Sequence, residues 1–176
     1  VATKEGRAQL ALLYRRHLRK DRNLTSMCLY SGPLTQPRSV QCTVYGEVFD
    51  SRTASPSYLL WQGPDERVGW LGTGDAHLER TERRQGLQTF FSNLLPLVGT
   101  IVLPHHGSKR NITTRFIQDL PSRTWVAPYG TKNRYRHPDQ HVIRVARSYG
   151  ATTRVTERRS TEFTQTIDRK STRLNS

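Results

Sequence analysis

Three short stretches of this 176-residue chain carry side chains able to bind a cation or move a proton. They are Gly72-Thr73-Gly74-Asp75-Ala76-His77, His105-His106-Gly107-Ser108-Lys109 and Asn133-Arg134-Tyr135-Arg136-His137-Pro138. Each follows an apolar run that reads as a strand: Val68 to Leu71, Thr100 to Leu103, and Thr124 to Ala127. Residues at strand ends in layered α/β folds project from one rim of the sheet, where ligand sites form. Adjacent strands would bring Asp75, His105 or His106, and His137 together. A carboxylate with imidazoles suits Zn²⁺ or Mn²⁺. Each stretch also has a plain structural reading. Gly-Asp after a strand is the composition of a turn or cap, and His before Pro can simply position a helix start. His17 and His141 read as solvated, and His77 reads as support for Asp75 or as surface.

The elements expected to hold these loops fall into two patterns. Glu5 to Lys20 reads as a helix, with Leu10, Leu13, Tyr14 and Leu18 on one face and Arg15, Arg16, Arg19 and Lys20 at its C-terminal end. Strands are expected at Ser26 to Tyr30, Val40 to Phe49, Leu59 to Trp61 and Val68 to Leu71. A turn at Gly63-Pro64-Asp65 separates the last two, and Ser51 to Pro56 reads as loop. From Gly72 onward strand and helix alternate. Helices are expected at Glu79 to Leu95, Thr113 to Leu120 and Asp139 to Tyr149, the last closed by Gly150 in the left-handed conformation. Thr152 to Thr156 and Glu162 to Ile167 read as a closing antiparallel pair. The fold class is α/β, a layered mixed sheet covered by helices.

Lys and Arg number 28 against 14 Asp and Glu, a net charge of +14 at pH 7, which suits a polyanionic partner. No apolar run approaches the roughly 18 residues of a membrane span, so membrane contact is not expected here. Two cysteines, Cys28 and Cys42, are too few for a disulfide scaffold and read as reduced thiols of a cytoplasmic domain. The chain opens on Val1 rather than Met, and Asp168 to Ser176 resembles the translation of a common sequencing adapter. The expected organisation is a basic amphipathic helix over residues 1–22, a domain over 23–167, and a non-native tail over 168–176. The tail holds three basic residues and one acid, so the basic excess persists without it.

Taken in order, the motifs resemble the C-terminal half of a metallo-β-lactamase-fold hydrolase, nearest the hydrolase domain of ComEC-type DNA-uptake proteins and their stand-alone relatives. The resemblance rests on Asn23-Leu24-Thr25-Ser26, Leu71-Gly72-Thr73-Gly74-Asp75, Leu103-Pro104-His105-His106-Gly107-Ser108 and Asn133-Arg134-Tyr135-Arg136-His137-Pro138. The intervals are 30 residues from Asp75 to His105 and 32 from there to His137. It implies half of an αββα sandwich and a metal-dependent phosphodiesterase or nuclease using two Zn²⁺ ions, or Mn²⁺. It also implies Asp75 as the bridging carboxylate and His137 as a terminal ligand. His105 and His106 would be the catalytic histidines, facing a phosphodiester or nucleic-acid substrate held by Ser108, Lys109, Asn133 and Arg134. The family's His-x-His-x-Asp-His cluster is absent from these 176 residues, and Arg136 stands where relatives usually have Gly. The chain is therefore expected to be a fragment of the enzyme, inactive alone. The competing expectations are a non-enzymatic basic nucleic-acid-binding domain and a catalytically degenerate scaffold.

Overall fold

The computed structural model describes residue 3 and residues 27–36, 40–48, 58–120, 122–157 and 161–169. The expected helix over Glu5 to Lys20, the Asn23-Leu24-Thr25-Ser26 motif and the Ser51 to Pro56 loop lie outside the described residues, as does nearly all of the expected 1–22 unit.

The fold is a mixed α/β layered structure. Strands β1 (Leu29–Ser31), β2 (Val40–Val48), β3 (Tyr58–Pro64) and β4 (Gly69–Gly72) are followed by helix α1 (Thr81–Phe90) and β5 (Val98–Val102). Then come α2 (Thr114–Asp119), β6 (Thr124–Pro128), α3 (Gln140–Arg147), β7 (Ala151–Val155) and β8 (Thr164–Arg169). The sheet runs β1-β4-β5-β6-β7-β2-β3, with β8 on β2. Its centre, β4 to β7, is parallel, and β1 and β2 join it antiparallel.

Period-2 alternation sorts the central strands into two faces. Leu71, Ile101, Leu103, Trp125 and Ala127 meet Leu87, Phe91, Phe116, Ile117, Val142, Ile143 and Ala146 from the helical side in one apolar core. Trp125 and Phe116, both fully buried, meet edge to face with centroids 6.3 Å apart. Burying each such ring contributes about 2–3 kcal/mol. On the opposite face β2 and β8 fold across the sheet: Gln165 accepts from Thr100 Oγ1 at 2.9 Å and donates to the Val68 carbonyl at 2.9 Å. Val40, Cys42, Val44 and Val68 form a second, smaller core there, flanked by Trp61 and Phe163.

Several expected boundaries move for identifiable reasons. The helix expected over Glu79 to Leu95 stops at Phe90, and a 3₁₀ turn at Leu95–Leu97 follows. Pro96 has no N–H to donate, and its ring would strike the carbonyl four residues back, so the helix cannot pass through it. Helix α3 begins one residue after its cap, Asp139, whose Oδ1 accepts from the His141 amide at 2.9 Å. Pro138 thus lies before the cap, not in the first turn.

Gly150 does not take the left-handed conformation expected of it; the positive-φ glycines among the described residues are Gly32, Gly63, Gly74 and Gly107. Its requirement is proximity. A Cβ there would lie 2.1 Å from the Ser122 carbonyl oxygen.

The last two strands also differ from expectation. β7 and β8 do not pair with each other; both pair antiparallel with β2, β7 at Glu47 and Val48 and β8 along Val40 to Tyr45. β8 includes Asp168 and Arg169, which pair with Gln41 and Val40, so the strand runs two residues into the stretch set aside as a tail. Among the described residues no helix is long and apolar enough to cross a membrane. Cys28 and Cys42 are free thiols. Burial pushes both thiols up from their ordinary value, and at Cys42 nearby Asp65 adds to the shift.

Candidate functional site

The three chemistry-bearing loops leave the C-terminal ends of the parallel strands β4, β5 and β6 and meet at one rim. Backbone bonds stitch them together. The His105 amide donates to the Gly74 carbonyl at 2.8 Å, and Thr73 Oγ1 donates to the Val102 carbonyl at 2.6 Å, tying the first loop to the second. The Asp139 amide donates to the Gly107 carbonyl at 3.0 Å, and Lys109 Nζ lies 3.4 Å from Asp139 Oδ2, tying the second to the third.

These stitches bring the expected residues together. His105 Nδ1 lies 3.8 Å from Asp75 Oδ1, and the His105 and His137 rings meet edge to face with centroids 5.7 Å apart. His106 is 5.9 Å from His105, ring to ring. Asp75 and His137 therefore flank the same imidazole and do not face different sides of the molecule. Asp75 and His105 are partly exposed, and His106 is exposed.

The backbone at this rim is unusual. His105 (φ 46°), His106 (φ 58°) and Arg136 (φ 56°) are the positive-φ non-glycine residues among those described, and all three lie in these loops. The left-handed region costs a side-chain-bearing residue about 1–2 kcal/mol, and such outliers concentrate where function constrains the chain. Arg136, which occupies the position expected of Gly, adopts the conformation a glycine would take there.

Electrostatics follow from this packing. Burial, and then the neighbouring His105 and His106, hold the His137 imidazole below its ordinary pKa, with Arg110 adding to the effect against Asp139. The shift favours the neutral ring, which has a lone pair on one nitrogen. Burial alone would raise Asp139, but the amide bond from His141, the charge of Lys109 and a further amide bond from Val142 outweigh it and hold the carboxylate below its usual range.

The second histidine is fixed differently. His106 Nδ1 is 2.6 Å from the Pro128 carbonyl oxygen, an acceptor with no proton to give. In the neutral ring the proton must therefore sit on Nδ1, leaving the lone pair on Nε2.

The residues expected to touch substrate have varied occupations. Ser108 is buried, and its Oγ accepts from the Arg110 amide at 3.3 Å, closing the second loop internally. Asn133 is a clamp: its Oδ1 accepts from the His137 amide at 2.7 Å, while its Nδ2 donates to the His137 carbonyl at 2.9 Å and to that of Gly130 at 2.8 Å. Lys109, besides its ion pair, is exposed, and so are Arg110, Lys132, Arg134 and Arg136. His77 is partly buried, and its Nδ1 pairs with Glu79 Oε1 at 3.1 Å. His141 is exposed, and its Nε2 lies 3.5 Å from Thr114 Oγ1, between α3 and α2. His17 lies outside the described residues.

Sequence reasoning did not single out Tyr135. Its ring stacks on His137, with centroids 6.0 Å apart and an interplanar angle of 18°, and the Arg134 guanidinium lies over it at 5.0 Å. The alternation Arg-Tyr-Arg-His in a basic loop was the available sign.

Among the described residues no group of three or more His, Cys, Asp or Glu side chains is arranged to hold a metal ion. Asp75 and His137 are chemically suited donors, one an anionic oxygen and the other a neutral imidazole, but they amount to part of a metal shell.

A stretch of 89 residues, 51% of the chain, is 36% identical to ComE operon protein 3 of Bacillus subtilis (strain 168). The chain spans about one tenth of that protein, 11% of its length. No family model matches the chain. No solved structure matches it.

Proposed function

We propose that this chain supplies one rim of a metal-dependent phosphodiesterase or nuclease site in a protein related to the DNA-uptake machinery. The observation that carries the reading is the meeting of Asp75, His105 and His137 from three separate strand ends, on loops bonded to one another through their backbones. The likeness to ComE operon protein 3 and the basic balance of the chain support a nucleic-acid substrate.

In the complete site Asp75 and His137 would hold Zn²⁺ or Mn²⁺ together with ligands from outside this chain. A bound metal pair supplies an activated water and charge compensation for a phosphodiester in flight. The chain's own residues do the rest. His105 lies between the two would-be ligands, its Nδ1 3.8 Å from Asp75 Oδ1 and its ring against that of His137, so it would set their spacing. His106, with its proton fixed on Nδ1 by Pro128, presents Nε2 as the atom that takes up a proton and returns it to a leaving oxygen. Lys109, Arg110, Arg134 and Arg136 attract the phosphate backbone and fix its path.

A protein that contains this chain together with the remaining metal ligands would provide the test. Replacing Asp75 by Ala should abolish metal-dependent cleavage of a phosphodiester while leaving salt-sensitive DNA binding within about twofold of wild type, because Asp75 is not one of the cations that release counterions. Equal loss of cleavage and binding would sink the division of labour. Cleavage that survives the substitution would favour the competing reading, a basic nucleic-acid-binding domain without catalysis at this rim.

A further inference from the structure

Tyr135 is 66% exposed. It is nonetheless held in place. Arg134 Nη2 donates to its hydroxyl at 2.9 Å, the Arg134 guanidinium lies over its face, and the His137 ring lies nearly parallel to it. The positive φ of Arg136 makes this possible, because it turns the intervening residue aside and sets residues 135 and 137 side by side. The Asn133 amide closes the loop beneath them.

The result is four rings in successive contact, His106, His105, His137 and Tyr135, with centroids 5.9, 5.7 and 6.0 Å apart. The first three belong to the proposed phosphodiester site. The fourth has its hydroxyl engaged by Arg134 Nη2 while the residue stays two-thirds exposed. It is apolar surface with a cation beside it, in a rim where Lys109, Arg110, Lys132, Arg134 and Arg136 are exposed.

We propose that Tyr135, flanked by Arg134, is a stacking platform for a nucleobase of a single-stranded nucleic acid whose backbone crosses the His105–His137 site. This rests on the phosphodiesterase reading for the location of the backbone, and deepens it by naming the substrate class. A base in a duplex has both faces covered by its neighbours, whereas a single-stranded base has a free face for the ring. Basic side chains interleaved with an exposed aromatic are what tracking such a strand requires: the cations meet the phosphates, and the ring meets any base irrespective of sequence.

The test compares two labelled strands of equal length and charge on the 176-residue chain: oligothymidylate, and an abasic phosphodiester strand lacking every base. Fluorescence anisotropy at one fixed salt concentration gives both affinities. Wild type should bind the base-bearing strand about tenfold more tightly than the abasic one, within the range for one base on one aromatic ring. Tyr135→Ala should remove that preference, weakening the base-bearing strand about tenfold and leaving the abasic strand unchanged. Tyr135→Trp should retain it.

Retained affinity for the abasic strand shows that the Ala variant is folded and its basic rim intact. Equal weakening on both strands would mean that the ring is structural, and would overturn the proposal. So would equal affinity of wild type for the two strands, an unaltered preference in Tyr135→Ala, or no binding to either strand. A base preference that disappears in Tyr135→Ala, alongside a gene product that cleaves no phosphodiester, would refute the proposed function and leave the platform standing.

Discussion

The loop that carries His137 depends on one side chain, and removing it makes a quantitative demand. Asn133 forms three bonds, one accepted from the His137 amide and two donated to the His137 and Gly130 carbonyls. At a net value of about 1 kcal/mol each, Asn133→Ala could cost the loop about 3 kcal/mol. Part of that returns, because the Gly130 bond is exposed and its carbonyl regains water. A loss of about 1.5–2 kcal/mol remains, which raises the population of the opened loop roughly tenfold to thirtyfold. The reporter should be the Asp139 amide, whose own bond, to the Gly107 carbonyl, the substitution does not touch. Native-state hydrogen exchange should show Asp139 exchanging ten to thirty times faster in Asn133→Ala. The amides of Ile101 and Trp125, in the central strands, should still require global unfolding. Wild-type protection at Asp139 would refute the reasoning and assign the loop's order to the Tyr135–His137 stack.

Three further outcomes follow from the same geometry. Gly107→Ala should separate the second and third loops, because Gly107 sits at φ 79° and a Cβ there would lie 2.7 Å from Pro138 Cβ; we expect about 2–3 kcal/mol of destabilisation by chemical denaturation, and the NMR cross-peaks between the His105 and His137 rings should vanish. In the metal-free chain His137 should titrate below 6.5 by NMR. The unfolded chain then takes up the proton first, so His137 lowers stability as pH falls through 6.5, with no further loss below its folded pKa; His137→Gln should flatten that part of the pH–stability curve. Asp65→Ala should cost about 2 kcal/mol in a denaturant titration, since Asp65 is buried, its Oδ1 accepts from the Arg67 amide at 2.9 Å, and its other oxygen pairs with Arg123 across β3 and β6.

The central strands and the loops that follow them were legible because both are local properties. Apolar runs such as Thr100 to Leu103, bounded by Gly, Pro and polar residues, read as buried strands, and polar residues at their ends belong at a rim. What could not be read was set by neighbours distant in sequence. β8 pairs with β2, and its Gln165 bridges Thr100 and Val68, 65 and 97 residues away; no local pattern encodes either contact. Gly150 was legible as a requirement for glycine but not as the right one: its neighbour, the Ser122 carbonyl, comes from the segment before β6 and not from α3 itself. Asn133 was expected, from the family resemblance, to hold substrate; its three bonds within the loop are a second occupation that only the folded chain shows.

The positive φ values of His105 and His106 bear on how the rim is built. Two successive non-glycine residues in the left-handed region cost a few kcal/mol together, so nothing retains them unless the surroundings over-determine the conformation. Here the surroundings do so with backbone groups: the His105 amide on Gly74, the His106 ring on Pro128, and the Asp139 amide on Gly107. Each of these bonds joins protein to protein, so the imidazoles are positioned by folding. On the proposed function, a substrate or ion entering the rim would meet groups whose ordering cost has already been met. That order of events separates this rim from one that its ligand must assemble. It also explains why glycine stands at 74 and 107, where the loops must bend, and why histidine, which tolerates this region better than most residues, stands at the two strained positions between them.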